Sequence, residues 1–74
     1  MREYTVLLTP EPEEGGFSVR VPALPGLATQ GDTYDEAVTA ARDAIAFHLE
    51  CLEAEGEPIP EEGAAPQLVS VAVA

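Results

Sequence analysis

His48 and Cys51 carry the side chains that most readily suggest chemistry, and they stand three positions apart. Imidazole nitrogen and thiolate sulfur both bind zinc, and this spacing places two side chains on one face of a helix. A protein zinc site takes three or four such ligands, whereas the chain has one His and one Cys. The pair is too small a ligand set, and we predict no metal site.

Other catalytic arrangements are equally poorly supported. A nucleophilic cysteine needs an activating neighbourhood, which the sequence around Cys51 does not supply. A two-metal site needs carboxylates from neighbouring elements in one pocket, but Glu3 is the one acid near the first apolar run. The chain also has no phosphate loop, nucleophile elbow or dinucleotide fingerprint. We therefore predict no catalytic residue and no cofactor, and keep a metal-dependent nuclease as the less favoured alternative.

Charge is the strongest property of the composition. The chain has 14 Asp and Glu against 3 basic residues, a net charge of −11. Binding of a polyphosphate needs clustered cations, and Arg2, Arg20 and Arg42 are scattered along the sequence. Direct binding of nucleic acid is therefore not expected, and a basic protein is the partner that this charge would attract. The alternative is that the acids serve solubility alone.

Length and cysteine content indicate one small domain spanning residues 1–74 in a reducing compartment. A single Cys cannot form an internal disulfide. The first apolar run is too short for a signal peptide, and no run approaches the roughly 20 apolar residues of a membrane span. We expect a soluble cytoplasmic protein without a membrane partner. Its small core, without Trp, favours association with another chain.

Three short strands are predicted in the first half of the chain. Residues 3–9, EYTVLLT, are rich in β-branched and aromatic types and end before Pro10. Residues 17–21, FSVRV, alternate apolar and polar side chains, as expected of a half-buried strand. Residues 27–31, LATQG, form a third short strand after the PALPG break.

A helix and a last strand are predicted in the second half. Thr33 and Glu36 match a capping box, so the helix should run from about residue 34 to residue 55 and stop at Gly56. Residues 67–74, QLVSVAVA, alternate like a strand. It should run parallel to the third strand and beside the first. The prediction is a two-layer α+β fold, β-β-β-α-β, with the helix packed on one face of the sheet.

The predicted helix has more apolar surface than one sheet can cover. A helical period places eight residues on a core-facing stripe: Tyr34, Ala37, Val38, Ala41, Ile45, His48, Leu49 and Leu52. A second apolar set lies beside it: Ala40, Ala44, Phe47, Cys51 and Ala54. We predict that this second set forms a homo-oligomer contact, a dimer or higher. Alternatively, the linker after the helix folds back over Phe47.

The stretch between residues 21 and 37 is unusually rigid in composition. Prolines fix φ and glycines permit tight reversals. We interpret six residues as a structural corner between the sheet and the helix: Pro22, Pro25, Gly26, Gly31, Thr33 and Glu36.

GGFSVRVPALPG (residues 15–26) and GDTYDEAVTAARDAI (residues 31–45) are the most specific segments of the sequence. A glycine pair before an aromatic residue, a P-x-L-PG turn and a GDT segment at a helix start resemble the HicB antitoxin family. An EGEPIP loop follows the helix, and the resemblance covers the whole chain. It implies a partial ribonuclease H-like fold with the predicted order of elements.

The resemblance also implies a function. Members of the HicB family bind and neutralise a small basic toxin, HicA, which resembles a double-stranded-RNA-binding domain and cleaves RNA. Acidic protein surface would occlude the toxin's catalytic and RNA-binding surfaces. Members that repress their own operon carry a further C-terminal DNA-binding module, which this sequence does not contain, so we expect no operator binding by this chain alone. An orphan domain that associates only with itself is the alternative.

Overall fold

The computed structural model describes residues 2–74, and it confirms an α+β arrangement of three strands followed by one helix. The strands are β1 (Leu7–Pro10), β2 (Phe17–Arg20) and β3 (Ala28–Gly31), and the helix is α1 (Tyr34–Ala54). Each strand falls within or next to its predicted range. β1 is shorter than predicted because residues 3–6 lie outside the ladder.

The sheet is an antiparallel meander in the order β1-β2-β3. Leu8 lies opposite Val19 in β1 and β2, and Val19 lies opposite Thr29 in β3. Glu11 N donates to Gly16 O at 3.0 Å just beyond the Pro10–Phe17 pair. Since bonded and non-bonded pairs alternate in an antiparallel ladder, Pro10 occupies a non-bonded position. Its missing N–H therefore costs the sheet no hydrogen bond.

Local signals set both ends of α1, as predicted. Thr33 has extended backbone angles, and its side chain accepts a hydrogen bond from Glu36 N at 3.1 Å. Glu36 Oε2 accepts from Asp32 N at 3.2 Å, one residue before the cap, instead of from the cap itself. Gly56 has a φ of 71° and Glu57 N donates to Leu52 O at 2.9 Å, which ends the helix in a left-handed turn.

The core lies where α1 crosses β2 and β3. Val19, Ala37 and Ala41 are buried together, with Val6, Leu8 and Phe17 packed against them. Small alanines allow the helix to approach the sheet closely. Gly31 contributes to that approach, because a Cβ there would lie 2.6 Å from Ala37 Cα.

The helix is much longer than the sheet that it covers. Its 21 residues span about 31 Å at 1.5 Å per residue, whereas a strand of four residues spans about 13 Å. Tyr34, predicted in the core, is instead 61 % exposed, with its ring against the edge of Phe17 at a centroid distance of 6.3 Å. The core-facing stripe is correct at Ala37 and Ala41, which are buried, whereas five other members are half-buried: Val38, Ile45, His48, Leu49 and Leu52.

The predicted last strand is wrong in this structure. Residues 67–74 form no strand, and all of them are exposed. Alternating apolar residues favour a strand only where a partner edge and a face to pack on are available. In the described structure, residues 67–74 pack on neither the sheet nor the helix. The three-stranded sheet is consequently antiparallel throughout, without the predicted parallel pair.

Candidate protein-binding surface

A polar cleft forms where the β1–β2 turn meets the connection from β3 to α1. Glu11, Glu14 and Asp32 are among the residues that line this cleft, which has a volume of about 250 Å³. Hydrogen bonds from Gly15 N to Glu11 O at 2.7 Å and from Glu11 N to Gly16 O fix the turn. Three carboxylates from two separate connections are thereby held together.

The first turns of α1 extend this acidic surface. Asp35, Glu36 and Asp43 line a shallow groove of about 380 Å³ with Thr39 and Ala40. We call the two depressions together the acidic end, which comprises Glu11, Glu14, Asp32, Asp35, Glu36 and Asp43. Neither depression is lined by an arginine. Carboxylates that line depressions without an arginine create the negative potential that attracts a basic protein.

The two residues considered for metal chemistry lie about one turn apart on α1. His48 and Cys51 are both half-buried on α1, and Cys51 is a free thiol. Between residues 2 and 74, no group of three or more His, Cys, Asp or Glu side chains is arranged to hold a metal ion.

The predicted oligomer contact forms one continuous outer face of α1. Phe47 is 68 % exposed at its centre. Ala40, Ala44 and Cys51 are half-buried, and Ala54 is exposed. The alternative, that the linker covers Phe47, is wrong, because Phe47 remains exposed. Within the linker, Pro60 O accepts a hydrogen bond from Tyr4 OH at 2.5 Å. The linker is thus drawn toward the N-terminal segment.

The residues of the predicted corner belong to two different connections. Pro22, Pro25 and Gly26 lie between β2 and β3, where Gly26 has the left-handed φ of 89° that a reversal requires. The other three residues flank the second connection: Gly31 ends β3, Thr33 caps α1 and Glu36 lies in the first turn of α1. Gly31 does not have a positive φ, so its predicted role in a reversal is wrong, and close packing against Ala37 explains the glycine instead.

Sequence reasoning missed a contact between residues 57 positions apart. Thr5 N donates to Glu62 Oε1 at 3.0 Å, and the Thr5 hydroxyl donates to Glu62 Oε2. The hydroxyl, followed by the backbone amide, holds the pKa of Glu62 below its ordinary value of 4.5. No local pattern marks such a pair, because each residue is unremarkable within its own segment.

A family model described as HicB-like antitoxin of bacterial toxin–antitoxin system matches residues 4–71. The chain belongs to this family. The match includes the acidic end, the three strands and α1, so it extends over the whole folded body. Membership of the HicB-like family supports an antitoxin role and favours a non-enzymatic one.

Individual HicB-like relatives support the assignment. The UPF0150 protein Ta0767 of Thermoplasma acidophilum is 44 % identical over 62 residues, 84 % of this chain and 88 % of that protein. The UPF0150 protein ssr1765 of Synechocystis is 44 % identical over 80 % of this chain and 73 % of its own length. Antitoxin HicB of Escherichia coli is 42 % identical over 77 % of this chain, but the match spans 41 % of that antitoxin.

Over residues 2–74, no helix has both the length and the apolar character needed to cross a bilayer.

Proposed function

We propose that this HicB-like chain is an antitoxin-type protein that binds and neutralises a small basic HicA-like toxin by occluding its RNA-cleaving surface. Family membership supports the antitoxin role. The partner's identity is inferred from the resemblance and from the charge of −11. We propose further that the protein acts in the cytoplasm as the single domain predicted from its sequence.

The acidic end is the observation that carries this proposal. Glu11, Glu14 and Asp32 lie on two connections that the sheet and helix hold in fixed positions, so they need little reordering on binding. The first turn of α1 adds Asp35 and Glu36. A toxin surface that binds phosphates through Lys and Arg would meet carboxylates in their place.

Binding to a HicA-like toxin from the same host tests the proposal. We expect a complex at low salt whose affinity falls at least tenfold between about 50 mM and about 300 mM NaCl, because surface charge pairs are screened over that range. The triple variant Glu11→Gln/Glu14→Gln/Asp32→Asn should bind more weakly and depend less on salt. Titration calorimetry measures both, and an RNA-cleavage assay shows whether binding inhibits the toxin.

A matched control removes the same charge elsewhere. The triple variant Glu53→Gln/Glu55→Gln/Glu57→Gln changes three exposed acids at the far end of α1, and it should bind like the unmodified chain. An equal loss of affinity for the toxin in both triple variants would exclude the acidic end as the binding surface. Absence of any complex with the toxin at low salt would overturn the proposed function.

A self-associating orphan is the second candidate, favoured by the exposed face around Phe47. We propose that Ala40, Ala44, Phe47, Cys51 and Ala54 form its contact between copies. Phe47→Asp should then lower the native mass measured by light scattering, while Glu50→Gln on the exposed side of the helix should not. An unchanged mass in Phe47→Asp would remove this surface from consideration.

A further inference from the structure

An apolar groove lies beside the helix on the side away from β3. It has a volume of about 560 Å³, and its apolar lining includes Val6, Leu8, Val38, Ile45 and Leu49. The groove exists because α1 packs mainly on β3 and β2, which leaves the helix-facing side of β1 without a cover. A single Glu3 and a single Arg42 are the charged residues at its margin.

The edge of β1 next to this groove is open. Since Glu11 pairs with Gly16 through a hydrogen bond, the bonded and non-bonded positions alternate back along β1. The Leu8–Val19 pair is therefore non-bonded, and the backbone N–H and C=O of Leu8 point away from β2. The Leu8 side chain packs toward the core. A strand added at this edge would bond to Leu8 and cover the groove at the same time.

The C-terminal segment has the composition of such a strand. Val69, Val71 and Val73 alternate with Ser70 and Ala72, and the large apolar residues of this segment are 76 to 91 % exposed. All the acids of the chain lie between Glu3 and Glu62, so residues 63–74 contain no charged side chain. An uncharged apolar segment matches an apolar groove with balanced charges at its margin. A basic partner would instead favour the acidic end.

None of residues 67–74 lines the groove of its own chain. Glu62 is held at Thr5, just before β1, and Pro58, Pro60 and Pro66 restrict the backbone on either side of that anchor. Beyond this anchor residues 67–74 are all exposed, and the described chain measures 49 Å in its longest dimension. A segment displaced from its own chain and matched to an open edge is suited to exchange between identical subunits.

We propose that residues 67–74 of one copy dock along the open edge of β1 in a second copy, with Val69 and Val71 over the groove between β1 and α1. Reciprocal exchange gives a closed dimer in which both open edges are paired. This dimer does not depend on the proposed toxin, and it uses a different surface from the face around Phe47.

Light scattering and sedimentation of the purified chain test the proposal. The unmodified chain should form a dimer that persists or tightens when NaCl rises from about 50 mM to about 500 mM, because salt screens the repulsion between two acidic copies. Val69→Glu/Val71→Glu should raise the dissociation constant of the dimer at least tenfold. Ser70→Glu/Ala72→Glu adds the same charge on the outward face and should remain dimeric.

A mixing experiment identifies the contact directly. Leu49→Arg blocks the groove but leaves the segment intact, whereas Val69→Glu/Val71→Glu leaves the groove intact. Each variant alone should be monomeric, and circular dichroism establishes that each is folded. An equimolar mixture should form a heterodimer through the one intact segment and the one intact groove. Hydrogen exchange of the Leu8 amide should slow as this heterodimer forms.

Three results would overturn the proposal. The unmodified chain could be a monomer in which the Leu8 amide is protected from hydrogen exchange. If Val69→Glu/Val71→Glu then abolishes this protection, the segment docks within its own chain. A dimer that Phe47→Asp dissociates and Val69→Glu/Val71→Glu does not would place the contact on the outer face of α1. A monomer with an unprotected Leu8 amide would show that the edge stays open.

Discussion

Two adjacent glycines in the β1–β2 turn share a backbone conformation but differ in their surroundings. Gly15 and Gly16 have φ angles of 80° and 77°. A Cβ on Gly15 would meet nothing within 4 Å, whereas a Cβ on Gly16 would lie 2.5 Å from Gly31 O. Both glycines are therefore needed for their left-handed backbone conformation. Gly16 is needed also because a Cβ there would not fit against Gly31.

We expect Gly15→Ala to lower the free energy of unfolding by about 1–2 kcal/mol, the cost of a left-handed Cβ. Gly16→Ala should cost about 1–3 kcal/mol more, because the turn must move away from Gly31. Urea unfolding of both variants measures the difference. Equal losses would show that the turn does not press against the connection from β3 to α1.

The Glu62 carboxylate links stability to pH at the scale of one residue. Its pKa is lowered in the folded chain by the Thr5 hydroxyl and amide, so the ionised form stabilises the fold. This contribution is present above the ordinary pKa of 4.5 and is lost as pH falls through the lowered folded-state pKa. Glu62 is partly exposed, and water keeps the effect small.

We expect Glu62→Gln to be less stable than the unmodified chain at neutral pH, with the difference shrinking as pH falls below about 4.5. Glu61→Gln removes the same charge at an exposed neighbour and serves as the control. Urea unfolding midpoints between about pH 7 and about pH 3 report the difference. If the urea midpoints of Glu62→Gln and Glu61→Gln differ by as much at low pH as at neutral pH, the ionised carboxylate does not stabilise the fold.

At the scale of elements, the connection between β2 and β3 depends on a buried leucine. Leu24 is 1 % exposed, and its N–H donates to Val21 O at 2.9 Å while its carbonyl accepts from Leu27 N at 3.1 Å. The prolines on either side, Pro22 and Pro25, are exposed. The two prolines restrict the exposed backbone of the connection, and the buried Leu24 side chain anchors it to the core. Together they hold β2 and β3 in register.

We expect Leu24→Ala to lower the free energy of unfolding by about 2–4 kcal/mol, through lost burial and the cavity left behind. Leu68→Ala makes the same chemical change at a side chain that is 91 % exposed, and it should change stability by less than about 0.5 kcal/mol. Thermal and urea unfolding compare the two variants. A similar loss in both would mean that Leu24 does not anchor the connection.

At the scale of the whole molecule, net charge opposes folding. A charge of −11 on 74 residues brings carboxylates together when the chain becomes compact, and salt screens that repulsion. We expect the melting temperature to rise between about 10 mM and about 200 mM NaCl, as the Debye length falls from about 30 Å to less than 10 Å. Calorimetry on dilute protein measures the rise.

The double variant Glu13→Gln/Glu14→Gln provides the comparison for this effect. It removes two exposed charges from the β1–β2 turn and should gain less from added salt. A melting temperature that falls with salt in the unmodified chain would mean that attractive charge pairs outweigh the repulsion.

Features with local causes were predictable from the sequence. The cap at Thr33, the stop at Gly56 and the alternation from Phe17 to Val21 each depend on residues within a few positions of one another, and the structure confirms all three. Family membership was likewise predictable, because it depends on short motifs in chain order. The acidic end was predictable only as a net charge, since Glu11 and Asp32 meet through tertiary packing.

The sequence by itself determined the type and order of the strands and helix, the position of the helix cap and the sign of the molecular charge. Tertiary structure alone decided which apolar segments are covered. Residues 67–74 have strand periodicity but pair with no edge in the described structure, and Tyr34 has core periodicity but is 61 % exposed in the first turn of α1. The physical reason is that periodicity states which side chains share a face, whereas burial depends on whether another element reaches that face.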